Sequence, residues 1–390
     1  MDFDFTDEER MIQKAAGDFA RKEIAPKIAE FDRGECYDPE IFKKMGELGF
    51  TGGVLPKKYD GSEMSYVGLA LMIEEIARYC VFSAVLAGYA SCSGGQGTLK
   101  YGTEEQKLKY LAALCRGEKP CATGVTEPHS GTDIVRVMET TVKKDGDFYI
   151  VNGTKAWISN LEHAQWFITF AQMDKSRGHR GICAFIIEKD WPGVTATPYK
   201  NLMGDRYFKT GELVFEDVRV PKENLVGKEL EGYKVLMCGT EIGRLACAAR
   251  SLGQIRACLE ESVSYAKQRV VFGRPIAEYQ LIKAKIADMA LGLEAGRFLT
   301  YHLAWMKDKG MEGVQKEASM AKLYTSDVLM KSATEAVQIH GAYGIHDEYN
   351  VGRYFRDAKV TQIYDGTQEI HRVIIGDHTL GFKQRYRGEE

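Results

Sequence analysis

Several features that mark large functional classes are missing from this chain. No apolar run approaches the roughly 20 residues that a membrane-spanning helix needs. The charges nearly balance, with 52 Lys and Arg against 55 Asp and Glu for a net of −3. No basic stripe is present, so a polyelectrolyte partner such as nucleic acid is not expected. The nine cysteines are scattered, with no CxxC pair and no Cys/His ligand spacing. Cys121, Cys183, Cys238, Cys247 and Cys258 sit among apolar or small neighbours and read as small core residues in a reduced compartment. The eight histidines form no HxxxH or HExxH pattern, so no metal site is expected. The N-terminal stretch MDFDFTDEERMIQ is acidic and helical in character, unlike a signal or transit peptide. There is no internal repeat and no low-complexity linker.

What is present is a 390-residue sequence, 44% hydrophobic and 27% charged, enough for two or three domains of a soluble globular protein. It falls into three blocks. Residues 1–118 read as helical: Thr6 and Glu9 form a capping box before a helix running towards Phe31, and 66–79 and 104–114 keep the 3.6-residue apolar period. Residues 119–227 change to strand character at 165–171, 182–187 and 212–218. A hairpin is expected where Phe148 to Val151 runs into Asn152-Gly153. From residue 228 onward the chain is helical again, at 232–267, 279–308 and 314–339. Helices, then an antiparallel β block, then long helices predict an α+β fold rather than alternating βαβ units. Helices this long that are not polar all round predict a bundle with further faces buried in an oligomer.

Five segments carry chemistry. Val125 to Asp133 (VTEPHSGTD) is a turn of small polar groups after a strand, able to bring backbone N–H donors against a planar, electron-accepting ring. Lys155 to Asn160 (KAWISN) sets an indole two residues from a hydroxyl. Arg269 to Gly273 (RVVFG), followed by Gln280, offers a permanently charged guanidinium suited to phosphate. Gln338 to Gly344 (QIHGAYG) has the small residues that let backbone amides approach phosphates. Gln362 to Arg372 (QIYDGTQEIHR) places an Asp365-Gly366 turn before a helix capped by Thr367 and Glu369. In this order the segments resemble the acyl-CoA dehydrogenases, and the resemblance runs from Phe3 to about Gly381.

The resemblance implies an N-terminal helical domain (1–118), a middle antiparallel β-barrel or sandwich domain (119–227) and a C-terminal four-helix-bundle domain (228–390). It implies FAD as cofactor. Val125, Thr126, Gly131 and Thr132 would line the flavin, Trp157 would pack on the ring, and Ser159 would bond flavin N5. Arg269, Phe272, Gln280, Gln338 and Gly341 would serve the FAD pyrophosphate across a dimer, with Thr367 and Glu369 completing the cofactor site. Thr132, Arg244, Tyr364, Asp365 and Gly366 would hold an acyl-CoA thioester. Thr132, Ser159 and Ala342 replace the family's usual Ser, Thr and Gly.

The family usually carries Glu where Asp365 stands, and that carboxylate removes the α-proton while the β-hydrogen leaves as hydride to N5, giving a 2-enoyl-CoA. Some members place the base immediately before the Arg that matches Arg244, which itself is expected to position the catalytic segment. Gly243 stands there in this chain, and Glu241 lies on another helix face, so Asp365 remains the base. Its carboxylate is one methylene shorter, which points to a cyclic or branched acyl group, with cyclohexane-1-carboxyl-CoA as the specific candidate. The small residues of Tyr89 to Gly95 (YASCSGG) would leave room for a ring, and their lack of a carboxylate argues against a 1,4-elimination. The alternatives are a short-chain or dicarboxylic, glutaryl-type dehydrogenase, the same chemistry run as an enoyl-CoA reductase, and a catalytically impaired flavin or acyl-CoA binding scaffold. The resemblance also implies a homotetramer built as a dimer of dimers, an electron-transferring flavoprotein as acceptor, and a bacterial cytoplasmic setting.

Overall fold

The computed structural model describes residues 4–382, so Phe3 lies outside the described residues. Helix α1 (Asp7–Phe19) begins at the expected capping box, in which Thr6 Oγ1 accepts from the Glu9 amide and the Glu9 carboxylate accepts from the Thr6 amide. The run towards Phe31 is broken: a π turn at Ala20–Ile24 precedes α2 (Ile28–Gly34). Then come α3 (Pro39–Glu47), α4 (Tyr66–Ala77), α5 (Val81–Gly88), α6 (Ser93–Tyr101), α7 (Glu104–Gln106) and α8 (Ala112–Cys115). Helix α4 is buried from Gly68 to Ala77, as its hydrophobic sequence, interrupted only by Glu74 and Glu75, requires.

The middle of the chain supplies β1 (Cys121–Gly124), β2 (Thr141–Asp145), β3 (Phe148–Ile158), β4 (Trp166–Gln172), β5 (Ile182–Glu188), β6 (Val194–Pro198), β7 (Gly211–Pro221) and β8 (Leu225–Val226). They form one sheet in the order β6-β7-β3-β2-β4-β5-β8, with β1 attached to β4. The sheet is not wholly antiparallel, because β1 pairs with β4 in parallel and a single β2–β4 bridge is parallel too. Asn152-Gly153 is not the hairpin turn. Strand β3 runs through it, and the register slips there against β7. Asn152 exchanges hydrogen bonds with Asp217 across the strands, and Gly153 lies so close to Thr140 that a Cβ would sit 2.5 Å from its Cα. The two-residue reversal falls instead at Gly146, with φ 59, between β2 and β3.

The C-terminal part holds α9 (Gly232–Met237), α10 (Thr240–Gln268), a small ribbon of β9 (Val270–Val271) and β10 (Arg274–Pro275), then α11 (Gln280–Asp308), α12 (Gln315–His340), α13 (Val351–Thr361) and α14 (Gln368–Leu380). The expected 232–267 helix is thus two helices, broken at Cys238-Gly239. Helices α4, α10, α11 and α12 pack together. Gly253 lets α10 approach α4, since a Cβ there would lie 2.3 Å from the Glu74 carbonyl oxygen. Buried carboxylates knit the bundle: Glu74 meets Arg297 at 2.6 Å and the Tyr301 hydroxyl, and Glu75 meets Arg256 at 2.7 Å.

Candidate active site

Asp365 stands on the turn between α13 and α14, in the left-handed region at φ 54, followed by Gly366 at φ 96. Thr367 caps α14 through its hydroxyl. Three neighbours fix this turn. From α14, His371 Nε2 lies 3.1 Å from the Asp365 carbonyl oxygen. From α12, the fully buried Lys322 donates to the Gly366 carbonyl at 2.6 Å. From α10, Arg250 Nη2 donates to Asp365 Oδ2 at 3.0 Å. The Asp365 side chain keeps 39% of its surface exposed, against 8% for Arg250, so the carboxylate is presented outward by buried supports. His371 must use Nε2 as donor to reach a carbonyl, which leaves Nδ1 an acceptor, buried without a partner among the described residues.

The electrostatics follow from burial and crowded cations. Burial, then Arg244 and Lys322, push His371 down to about 3, so it is neutral in any ordinary buffer. Burial likewise lowers Lys322, against the pull of Cys247 and Asp365. Burial raises the Tyr364 phenol far above its usual range and the Cys92 thiol up to about 12. The arginine bonded to Asp365 is Arg250, whereas Arg244, singled out from sequence, donates to Ser319 Oγ at 3.4 Å. Arg244 remains within electrostatic reach of Asp365. Arg250 was missed because it sits in AARSLG, inside a long helix where a lone arginine reads as surface. The signal was its small, apolar company on a buried helix. Glu241 pairs with Lys307 of α11 at 2.9 Å.

A second group of predicted residues is drawn together at one end of β3. The Thr126 carbonyl accepts from the Ala156 amide at 2.8 Å. Lys155, fully buried, meets Glu127 at 2.8 Å and also donates to the Val125 carbonyl at 3.4 Å. Glu127 in turn accepts from the Glu139 and Thr140 amides at 2.6 and 3.0 Å. The VTEP turn is therefore pinned to the KAWIS strand. Trp157 is left 59% exposed at φ 59, edge-on to Tyr199 with centroids 5.1 Å apart. Ser159 Oγ is 3.2 Å from Thr210 Oγ1. Gly131 and Thr132 are exposed, and a Cβ on Gly131 would meet nothing. The uncovered indole of Trp157 leaves an aromatic face free for a planar aromatic cofactor. The start of α6 abuts β1, where a Cβ on Gly94 would lie 3.2 Å from Thr123 Oγ1. The preceding Cys92 lies within electrostatic reach of Arg250 and Asp365.

The third group meets at the far end of α10. The Arg269 guanidinium lies 5.9 Å from the Tyr343 ring, joining the RVVFG ribbon to the QIHGAYG loop. Phe272 projects from the ribbon tip, 93% exposed at φ 51. Gln280, Gln338 and Gly341 are exposed, with Gly341 at φ 62 in open space. Glu369 is exposed near the start of α14, its carboxyl lowered by the helix amide and Thr367. No hydrogen bond among the described residues joins the Arg269 group to Asp365. Among the described residues there is no metal-ligating cluster and no helix long and apolar enough to cross a membrane.

Sequence models for the acyl-CoA dehydrogenase N-terminal, middle and C-terminal domains match residues 6–118, 122–218 and 231–380. An acyl-CoA dehydrogenase of Bacillus subtilis is 44% identical over 376 residues, covering 96% of this chain and 99% of that protein. The structure of butyryl-CoA dehydrogenase from Megasphaera elsdenii superposes with a TM-score of 0.93 at 41% identity, covering 97% of this chain and 100% of the other. A glutaryl-coenzyme A dehydrogenase in complex with glutaryl-CoA gives 0.94 at 36% identity, covering 99% and 98%. The chain belongs to the acyl-CoA dehydrogenase family of oxidoreductases.

Proposed function

We propose that this family member dehydrogenates a short-chain acyl-CoA thioester at Cα and Cβ, with Asp365 as the base. The observation that carries this is the outward-facing Asp365 carboxylate held on a rigid turn over buried cations. Asp365 takes the α-proton, and its main-chain N–H donates to the thioester carbonyl as negative charge develops there. FAD, when bound, supplies the acceptor for the β-hydride. Val125, Thr126, Gly131, Thr132, Trp157 and Ser159 would hold its ring, and Arg269, Phe272, Gln280, Gln338 and Gly341 its phosphates, with Thr367 and Glu369 nearby. Tyr364 and Gly366 would flank the acyl group, and Thr132 and Arg244 complete its surroundings. The likeness to the butyryl-CoA dehydrogenase of Megasphaera elsdenii supports a short acyl group over a long one.

A second reading rests on the short reach of Asp365: a ring or α-branch, as in cyclohexane-1-carboxyl-CoA, would bring Cα to a retracted carboxylate. Anaerobic mixing of FAD-loaded enzyme with butyryl-, isobutyryl-, glutaryl- and cyclohexane-1-carboxyl-CoA decides between them by which thioester bleaches the flavin. Asp365→Asn should slow bleaching by roughly 10²–10⁴-fold. Unchanged bleaching would mean that another group is the base. Electrons would pass to an electron-transferring flavoprotein. The chain would work as a homotetramer, supported by the exposed Leu281, Leu291 and Trp305 on α11.

A further inference from the structure

Resting on Asp365 as the base, we propose that Arg250 is its positioning residue, fixing the orientation of the shortened carboxylate so that acid and guanidinium act as one unit. Arg250 projects from the interior of a 29-residue helix and is nearly fully buried, so its position is set by the bundle. The Tyr364 ring lies 5.3 Å from its guanidinium carbon and limits its movement. Its Nε is buried with no hydrogen-bond partner among the described residues, and its Nη2 donates to Asp365 Oδ2, while the buried Asp205 lies within electrostatic reach of the guanidinium without a hydrogen bond to it among the described residues. A buried cation stripped of its carboxylate is strongly disfavoured, so the pair holds together.

The other cations near Asp365 are committed elsewhere: Arg244 to Ser319, and Lys322 to the Gly366 carbonyl. Cys92 ahead of α6, Cys247 on α10, Tyr364 and His371 beside the turn, and the buried Asp205 within electrostatic reach of Arg250 are titratable groups around the pair. None of these donates a side-chain hydrogen bond to the carboxylate among the described residues. Oδ2 is tied to Arg250, and Oδ1 is outside that bond and available to the α-proton.

The test compares wild type, Arg250→Lys and Arg250→Gln as FAD-loaded enzymes, with α-deuterium exchange into butyryl-CoA in D₂O and the separate values of kcat and KM as readouts. Exchange isolates the proton transfer from the redox step. Arg250→Gln should slow exchange about 10- to 100-fold, in keeping with a misplacement near 1 Å, and lower kcat with KM little changed. Arg250→Lys should recover part of the exchange rate and of kcat. Exchange at the wild-type rate in Arg250→Gln overturns the proposal. If Arg250→Gln fails to fold or retain FAD, Arg250→Lys decides, and exchange at the wild-type rate in that variant also overturns it. Asp365→Asn serves as the control: exchange that persists there removes the base reading itself, separately from Arg250.

Discussion

At the scale of single residues, the chemistry is concentrated on one turn. Asp365 was legible because QIYDGTQEIHR resembles the acyl-CoA dehydrogenase signature and follows the other motifs in order, whereas its turn and cap alone would read as an ordinary surface turn. The groups that hold it, Arg250, Lys322 and His371, were not, because they arrive from α10, α12 and α14 and only packing brings them together. His371 makes the most direct prediction. Its folded value of about 3 lies below the ordinary 6.5, because burial and two nearby cations disfavour the imidazolium. The unfolded chain therefore binds a proton that the folded chain refuses. This contribution to stability is intact above pH 6.5 and is lost as pH falls from 6.5 towards 3, at up to about 1.4 kcal/mol per pH unit. His371→Gln, whose amide keeps a donor for the Asp365 carbonyl, should flatten the fall in urea midpoint between pH 6.5 and 4.5. An equally steep fall in the variant would show that other groups govern acid lability.

At the scale of elements, sequence periodicity located the long helices and the central strands to within a few residues, but not how the strands pair. Asn152-Gly153 has the composition of a tight turn, yet it became a bulge inside β3 because β7 offered a longer partner and Thr140 required a residue without a Cβ. The parallel seat of β1 on β4 was equally hidden, since a four-residue strand carries no signal of direction. That seat launches the VTEP turn, and the Lys155–Glu127 pair pins it. Both side chains are at most 3% exposed, so removing one leaves an uncompensated charge in the interior. Lys155→Met should cost about 3–5 kcal/mol by urea unfolding and weaken FAD retention. Adding Glu127→Gln should return much of the stability, since the stranded charge goes with it. A single variant as stable as wild type would mean that the pair is hydrated and the turn held by its backbone bonds alone.

For the whole molecule, the α+β order of helices, sheet and helices follows directly from the change of period along the sequence, and the three domain matches agree with it. What one chain leaves uncovered argues for more than one. Leu281 and Leu291 on α11 are 79% and 70% exposed, and Phe272 and Ile345 beside the Arg269 group are 93% and 80% exposed. Isolated apolar side chains on a surface are ordinary, but large ones gathered along a long helix and an adjoining ribbon and loop mark a contact surface. For the homotetramer proposed above, light scattering should give a mass of about four times the 43.7 kDa of one chain. Leu281→Asp with Leu291→Asp places two charges on that surface and should reduce the mass to that of smaller species without lowering helix content by circular dichroism. If the phosphate-end residues of one chain serve a cofactor bound largely by its neighbour, FAD retention falls with the mass. Dissociation with full FAD retention would place the entire cofactor site within one chain, and a tetramer indifferent to both substitutions would place the interface on another face.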